Sequence, residues 1–260
     1  IVMPTKDRRT RIGGAIESVR RQTYPHWELI VVDDHSSDET IELLRREFGN
    51  DDRIAIVVND GHGVGDARNT GLDRATGSFI AYLDSDNRWY EDYLELMIRA
   101  IESDGSDCGY AVQKCYRNPF LEEKSSIFYR NNVFDYEHLK LYNYIDLNIF
   151  VHRSSLVPKL GRFDTSLRRM VDWDLVLRYC KDRHVTKAEF IGVKYDAGPS
   201  ADRISNKENR SYLYAVRNKH LVDWHRLTAD IEVRDTDLIS IVMCVYGQAH
   251  LTNECLKSLY

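Results

Sequence analysis

The sequence predicts an α/β fold: a doubly wound, mostly parallel sheet with helices on both faces. Three observations predict it. Strand-type and helix-type apolar patterns alternate from Ile1 to Ile101. Two of the strand-type runs end abruptly in acids, at Asp33-Asp34 and at Asp84 to Asp86. A glycine-rich turn, Gly61 to Gly65, opens a helix whose one face carries only small residues.

Each element follows from its own pattern. Ile1 to Met3 reads as a strand, and Ile12, Ala15, Ile16 and Val19 recur at helical spacing after it. Trp27 to Val32 is the second strand. Ser36 with Glu39 three residues on has the form of a capping box for the helix carrying Ile41, Leu44 and Phe48. Ile54 to Val58 is the third strand. Ala67, Gly71 and Ala75 form the small-residue face of the next helix, which ends at Gly77. Phe79 to Leu83 is a fourth strand, and Leu94, Met97, Ile98 and Ile101 mark another helix. Beyond Asp107 the pattern weakens into short strand-like pieces (Gly109 to Gln113, Ser126 to Tyr129, Asn148 to His152, Glu189 to Tyr195) among polar loops and many tyrosines. Helices are expected from Val171 and over Lys207 to Leu221. Right-handed crossovers place the carboxyl ends of parallel strands on one edge, so Asp34 and Asp84 to Asp86 should share a crevice.

Length and composition bound the class. With 260 residues, 43% hydrophobic and 30% charged, the chain can bury a sizeable core. Its 36 basic and 41 acidic side chains give a net charge of −5, which argues against a nucleic-acid binder. Five scattered cysteines without metal-type spacing read as buried thiols of a reducing, cytoplasmic compartment. No run approaches a membrane span, and attachment to a membrane surface stays compatible with the sequence. The chain divides into a main domain over 1–228, a linker over 229–238 and the opening of a second domain over 239–260. A shift of 240 residues (241 − 1) aligns Ile241-Val242-Met243 with Ile1-Val2-Met3 and Leu256 to Leu259 with Ile16 to Val19, so the tail reads as the cut-off start of a second copy.

The acidic motif of Asp84, Ser85, Asp86 and Asn87 carries the chemistry. Carboxylates at a buried strand end need a cation, which suggests a divalent metal on Asp86 bearing a phosphorylated ligand. An ordinary Asp/Asn turn is the competing reading. His35 and His62 fall near the same crevice and read as loop histidines.

Four stretches in order then resemble family-2 glycosyltransferases, whose nucleotide-sugar-binding fold is called GT-A. They are Ile1 to Tyr24, Ile30 to Ser37, Ala67 to Gly71 followed by Gly77 and the acidic motif, and Gly161-Arg162-Phe163-Asp164 leading to Val171 to Asp174. The resemblance implies an inverting, metal-dependent transfer of a sugar from a nucleotide diphosphate, with a UDP-sugar as the usual donor. The acceptor would be a hydroxyl of a glycan or lipid-linked molecule in cell-surface polysaccharide synthesis. By resemblance, Asp34 accepts from the base, Thr5 meets the nucleoside, Arg68 reaches base or phosphate, and Asp84 and Ser85 contact the nucleotide sugar. Asp86 holds Mn2+ or Mg2+, and Asp172 is the base; Trp173 reads either as stacking on an acceptor sugar ring or as a core residue at helical spacing. Three departures matter: Asn87 and Val171 stand where the family often has acids, and no histidine among His184, His220 and His225 sits in a third-ligand motif. The rivals are a phospho-acceptor receiver domain, a nucleotidyltransferase, and a non-catalytic domain that binds nucleotide sugar or acts as a scaffold.

Overall fold

In the computed structural model the described residues are 1–117, 126–198, 209 and 211–222. The chain divides into two units, Ile1–Val222 and Asp223–Tyr260. The expected linker, the second-copy residues, His225, Cys244 and Cys255 lie outside the described residues.

The first half is parallel, as expected. Strands β1 (Val2–Thr5), β2 (Leu29–Asp33) and β3 (Ile54–Val58) pair in the order β1-β2-β3, with Val2 opposite Ile30 and Leu29 opposite Ile54. Alternation sends their side chains to two faces. Leu29 and Val31 join the main core, whereas Ile30 and Val32 form a separate small cluster with Ala67. Helices α1 (Ile12–Arg20) and α2 (Thr40–Phe48) cover the first face with Ile12, Ile16, Val19 and Leu44. Helix α3 (Val64–Arg74) covers the second. It lies so close to β1 that a Cβ on Gly71 would stand 2.5 Å from Val2 Cγ1, which explains the small-residue face.

The fourth strand differs from its expected form. β4 (Phe79–Ala81) is short and pairs antiparallel with β8 (Phe150–Arg153). Its continuation meets β1 through one parallel bridge, Val2 to Tyr82, with Leu83 N–H donating to the Val2 carbonyl at 3.2 Å. A second, mixed sheet follows in the order β4-β8-β6-β9-β5, built with β5 (Arg88–Trp89), β6 (Cys108–Tyr116) and β9 (Val185–Asp196); β7 (Ile127–Arg130) pairs with β6. The pairs β6–β8 and β5–β9 are antiparallel, and β6–β9 is parallel. Helix α4 (Tyr93–Asp104) packs on β6 and β9. The short helices α5 (Tyr136–Leu141) and α6 (Leu156–Leu160) precede α7 (Val171–Cys180), and α8 (Ser211–Leu221) packs against α5 and α7.

The capping box does not form. Ser36 Oγ accepts from the Asp7 backbone, and Asp38 takes the N–H of Thr40 at 3.2 Å. The helix begins at Thr40, so Ser36 stands too far upstream to cap it, and Asp38 takes a first-turn N–H instead.

Behind the second sheet lies a buried polar pair. His152 Nδ1–H donates to the Arg153 carbonyl at 2.9 Å, so Nε2 accepts from Tyr82 Oη–H, also at 2.9 Å. Burial lowers the His152 pKa to about 4. The unfolded chain therefore takes up a proton that the folded chain refuses. Stability is full above pH ~6.5 and falls by about 3 kcal/mol as pH drops to ~4. Denaturant unfolding at stepped pH should show this slope in the parent and lose it in His152→Gln.

Candidate functional site

The site grows out of the carboxyl ends of the parallel strands. The ladder runs one residue past each strand: Asp34 N–H donates to the Thr5 carbonyl, and Asn59 N–H to the Asp33 carbonyl, each at 2.8 Å. Thr5, Asp33, Asp34 and Asn59 are thereby set side by side, and all are buried. Asp34 Oδ1 accepts from Asn59 Nδ2 at 2.7 Å and from Gly63 N–H at 2.9 Å, and Lys6 Nζ stands 3.4 Å from Oδ2. The donors that two adjacent acids require are therefore local ones, with Asp33 Oδ2 taking the Ser36 N–H at 3.0 Å. Thr5 Oγ1, Asp33 Oδ1 and Arg68 Nε are enclosed and have no hydrogen-bond partner among the described residues. Leaving such groups unmatched is costly, so these three are positions where a bound polar molecule would repay its own desolvation.

The acidic motif leaves β1's other neighbour in the same strand direction. Arg68, on α3 and 6% exposed, donates to Asp84 Oδ1 at 2.9 Å. Asn148 holds the same residue twice, Nδ2 to Asp84 Oδ2 at 2.9 Å and Oδ1 to its backbone N–H at 2.7 Å. Ser85 is buried between the two acids. Asp86 has its pKa pushed up to about 6, by burial first and then by the Asp84 charge; Arg8 and Arg11 oppose this and Asp196 adds to it. Asn87 Oδ1 accepts from Asp196 N–H at 3.0 Å, so the residue that departs from the resembled pattern pins the end of β9 beside the motif. Arg11 pairs with Asp196 at 3.1 Å. A buried carboxylate that stays partly protonated among other acids fits a divalent cation, which would supply the missing positive charge.

Asp172 lies in the first turn of α7, where Oδ2 accepts from Asn143 Nδ2 at 3.1 Å. Trp173 behaves differently from its expected role. It is fully buried, and its indole N–H donates to the Leu139 carbonyl at 2.8 Å. Trp173 turns into the core while Asp172 beside it stays half-buried, so the acceptor-stacking assignment is corrected. The histidines without a third-ligand motif have other partners: His184 pairs with Asp104 and His220 with Asp174.

A family model described as "Glycosyl transferase family 2" matches residues 1–158, more than half of the chain. That match spans the parallel strands, the acidic motif and Asn148.

The chain belongs to glycosyl transferase family 2.

Within this family it is 41% identical over 96 residues to the putative teichuronic acid biosynthesis glycosyltransferase TuaG of Bacillus subtilis, which covers 36% of this chain and 38% of that protein. It is 46% identical over 100 residues to the Escherichia coli UDP-Glc:alpha-D-GlcNAc-diphosphoundecaprenol beta-1,3-glucosyltransferase WfgD, covering 38% of each. The chain thus spans well under half the length of these curated relatives. The fold matches that of S. aureus TarS 1-349 in complex with UDP-GlcNAc, with a TM-score of 0.65 at 17% identity over 83% of this chain and 63% of that one.

Several residues of this family 2 domain were not legible as site residues. Asn59, Asn143 and Asn148 each hold a site carboxylate, yet a lone asparagine in a weakly patterned segment gives no signal. Asp146 is enclosed, and its pKa is raised by burial and then by Asp84; Asn148 N–H supports it at 2.9 Å. Asp34, His35 and His62 place one ligand atom each within 4.8 Å of one another, a grouping that reading the two histidines singly missed. Among the described residues, no helix is long and apolar enough to cross a membrane.

The Asp86 shift has a testable sign. Its folded-state value lies above the ordinary 3.8, so the folded chain keeps a proton that the unfolded chain has released. Without a cation, stability falls as pH rises through that interval and stays lower above pH ~6. In chelator, Asp86→Asn should melt several degrees above the parent at pH ~8, and the gap should close toward pH ~4. Mn2+ should raise the melting temperature of the parent alone.

Proposed function

We propose that this chain is the donor-binding and catalytic domain of an inverting glycosyltransferase that uses Mn2+ or Mg2+. It moves a sugar from a nucleoside diphosphate, a UDP-sugar in the first instance, to a hydroxyl of a glycan or lipid-linked acceptor. The observation that carries this reading is the set of enclosed, partnerless polar atoms on Thr5, Asp33 and Arg68, lying at the same strand edge as the acids. TuaG and WfgD are named for teichuronic acid synthesis and for glucosyl transfer to a diphosphoundecaprenol-linked sugar. They support an acceptor of the cell-surface polysaccharide class, handled on the cytoplasmic side with the enzyme peripheral to the membrane.

In this reading Asp34, braced by Asn59 and Gly63, offers Oδ2 to the base, and Thr5 meets the nucleoside. Arg68 has a donor to spare beyond Asp84 and directs it at the nucleotide. Ser85 and Asp84 border the sugar side. Asp86 would hold the cation, with Asp84 beside it. When bound, that cation offsets the charge collecting on the departing diphosphate. Asp172 takes the proton of the acceptor hydroxyl as its oxygen attacks the anomeric carbon. The bond from that carbon to the diphosphate oxygen breaks with its electron pair on the leaving group, so one displacement inverts the centre. Asn143 fixes the carboxylate while leaving its other oxygen for the acceptor.

Release of nucleoside diphosphate from a panel of UDP-, GDP- and dTDP-sugars tests the reading. One donor should be consumed in the presence of metal and a disaccharide or lipid-linked acceptor. Asp172→Asn should keep UDP affinity within about threefold and lose at least roughly 100-fold in transfer. Nucleotide binding with no turnover on any acceptor would make this a non-catalytic domain instead.

A further inference from the structure

Asp34, His35 and His62 stand at the outer end of the same crevice, and their chemistry is not that of the acidic edge. Two imidazoles and one carboxylate are the donor set of a borderline-soft cation, whereas Mg2+ and Mn2+ prefer an all-oxygen set. The three ligand atoms lie within 4.8 Å of one another. A tetrahedral zinc site at ordinary bond lengths needs donors about 3.4 Å apart, so the group has to close by about 1.4 Å at most. The two histidines are exposed, and rotation of their side chains supplies that movement. Their rings already lie together, with centroids 4.6 Å apart and planes at 41°.

The outer shell is in place as well. His35 Nε2 is 3.0 Å from the Gly61 carbonyl, which can only accept; the ring therefore carries its proton on Nε2 and its lone pair on Nδ1. Asp34 Oδ1 is taken by Asn59 and Gly63, and among the described residues Oδ2 has Lys6 alone, at 3.4 Å. His35 also sits at φ 58°, a left-handed conformation unfavourable for a non-glycine residue. Lys6 is the competing cation. Its side chain is 54% exposed and can swing into solvent.

We propose that Asp34, His35 and His62 form a binding site for a transition-metal dication of the zinc class, and that filling it blocks the nucleotide. Blocking follows from sharing: Asp34 Oδ2 cannot serve a metal and a base at once. That second half rests on the reading of Asp34 as the base acceptor. The site then acts as a metal-sensitive brake on donor binding, separate from the cation held by Asp86.

Calorimetric titration of the chelator-treated 260-residue chain with Zn2+, in parallel with the visible absorption of Co2+, tests the site. One ion per chain should bind, and Co2+ should give a tetrahedral spectrum. His35→Ala and His62→Ala should each weaken zinc at least about tenfold, and Lys6→Met should tighten it several-fold. Zinc should raise the apparent Kd of UDP measured with Mg2+, and both histidine variants should lose that effect. Zinc binding that survives in both histidine variants, or that disappears only in Asp86→Asn, would overturn the proposal. So would zinc and UDP binding together without mutual loss of affinity. If UDP fails to bind the zinc-free protein at all, the reading of Asp34 as base acceptor falls, and the zinc titration still decides whether the metal site exists.

Discussion

A surplus of carboxylates at one edge of the sheet is the constraint to which the rest of the molecule answers. Asp33, Asp34, Asp84, Asp86, Asp146 and Asp196 come from distant parts of the chain to the region where the strands end. Among the described residues, Arg68, Arg11 and, more loosely, Lys6, Arg8 and Arg130 oppose them. Burial of like charges is unfavourable unless donors or cations surround them. Asparagines at 59 and 148 provide part of the compensation as hydrogen-bond donors, and protonation of Asp86 provides another part. The rest of that negative charge is not matched by these groups, at a cost to the stability of the fold.

The same edge is tied to the helix that carries Asp172. Asn69, next to Arg68 on α3, exchanges two hydrogen bonds with the backbone of Phe163, each at 3.0 Å. The Phe163 ring lies 5.4 Å beneath the Arg68 guanidinium. From that turn Arg178 reaches the Leu160 and Arg162 carbonyls and Asp174 of its own helix α7. Asp174 is fully buried. Burial alone would raise its pKa, yet the hydrogen bond from His220 and the charges of Arg178 and Lys219 hold it well below the usual carboxylate range. Helix α8 is therefore bolted to α7 two residues from Asp172, and the acidic edge and the first turn of α7 share one continuous framework.

The parallel half of the fold was legible because its signals are local. Strand-type runs, helical spacing and the small-residue face of α3 are each complete within a dozen residues. The crossover rule then put Asp34 and Asp84 to Asp86 on one edge; β1 pairs with β2 on one side and with Tyr82 on the other, and Arg68 bonds Asp84 there. The second sheet was not legible in the same way. Its strands pair across long separations, as β6 does with β9, and its register carries a bulge near Val112. Of the two readings of Trp173, the core one suggested by its helical spacing holds; the stacking one came from residue type alone, which does not tell core from binding site. The His35 and His62 pairing was invisible because nothing in a sequence marks two loops as neighbours.

Anomalous diffraction from a crystal grown with UDP and Mn2+ tests the central claim most directly. The expected map has a manganese peak within bonding distance of an Asp86 carboxylate oxygen and the pyrophosphate, with the uracil edge against Asp34. A nucleotide bound at another face of the molecule, or manganese without contact to Asp86, would contradict the claim that the gathered acids exist to hold a metal-bridged diphosphate.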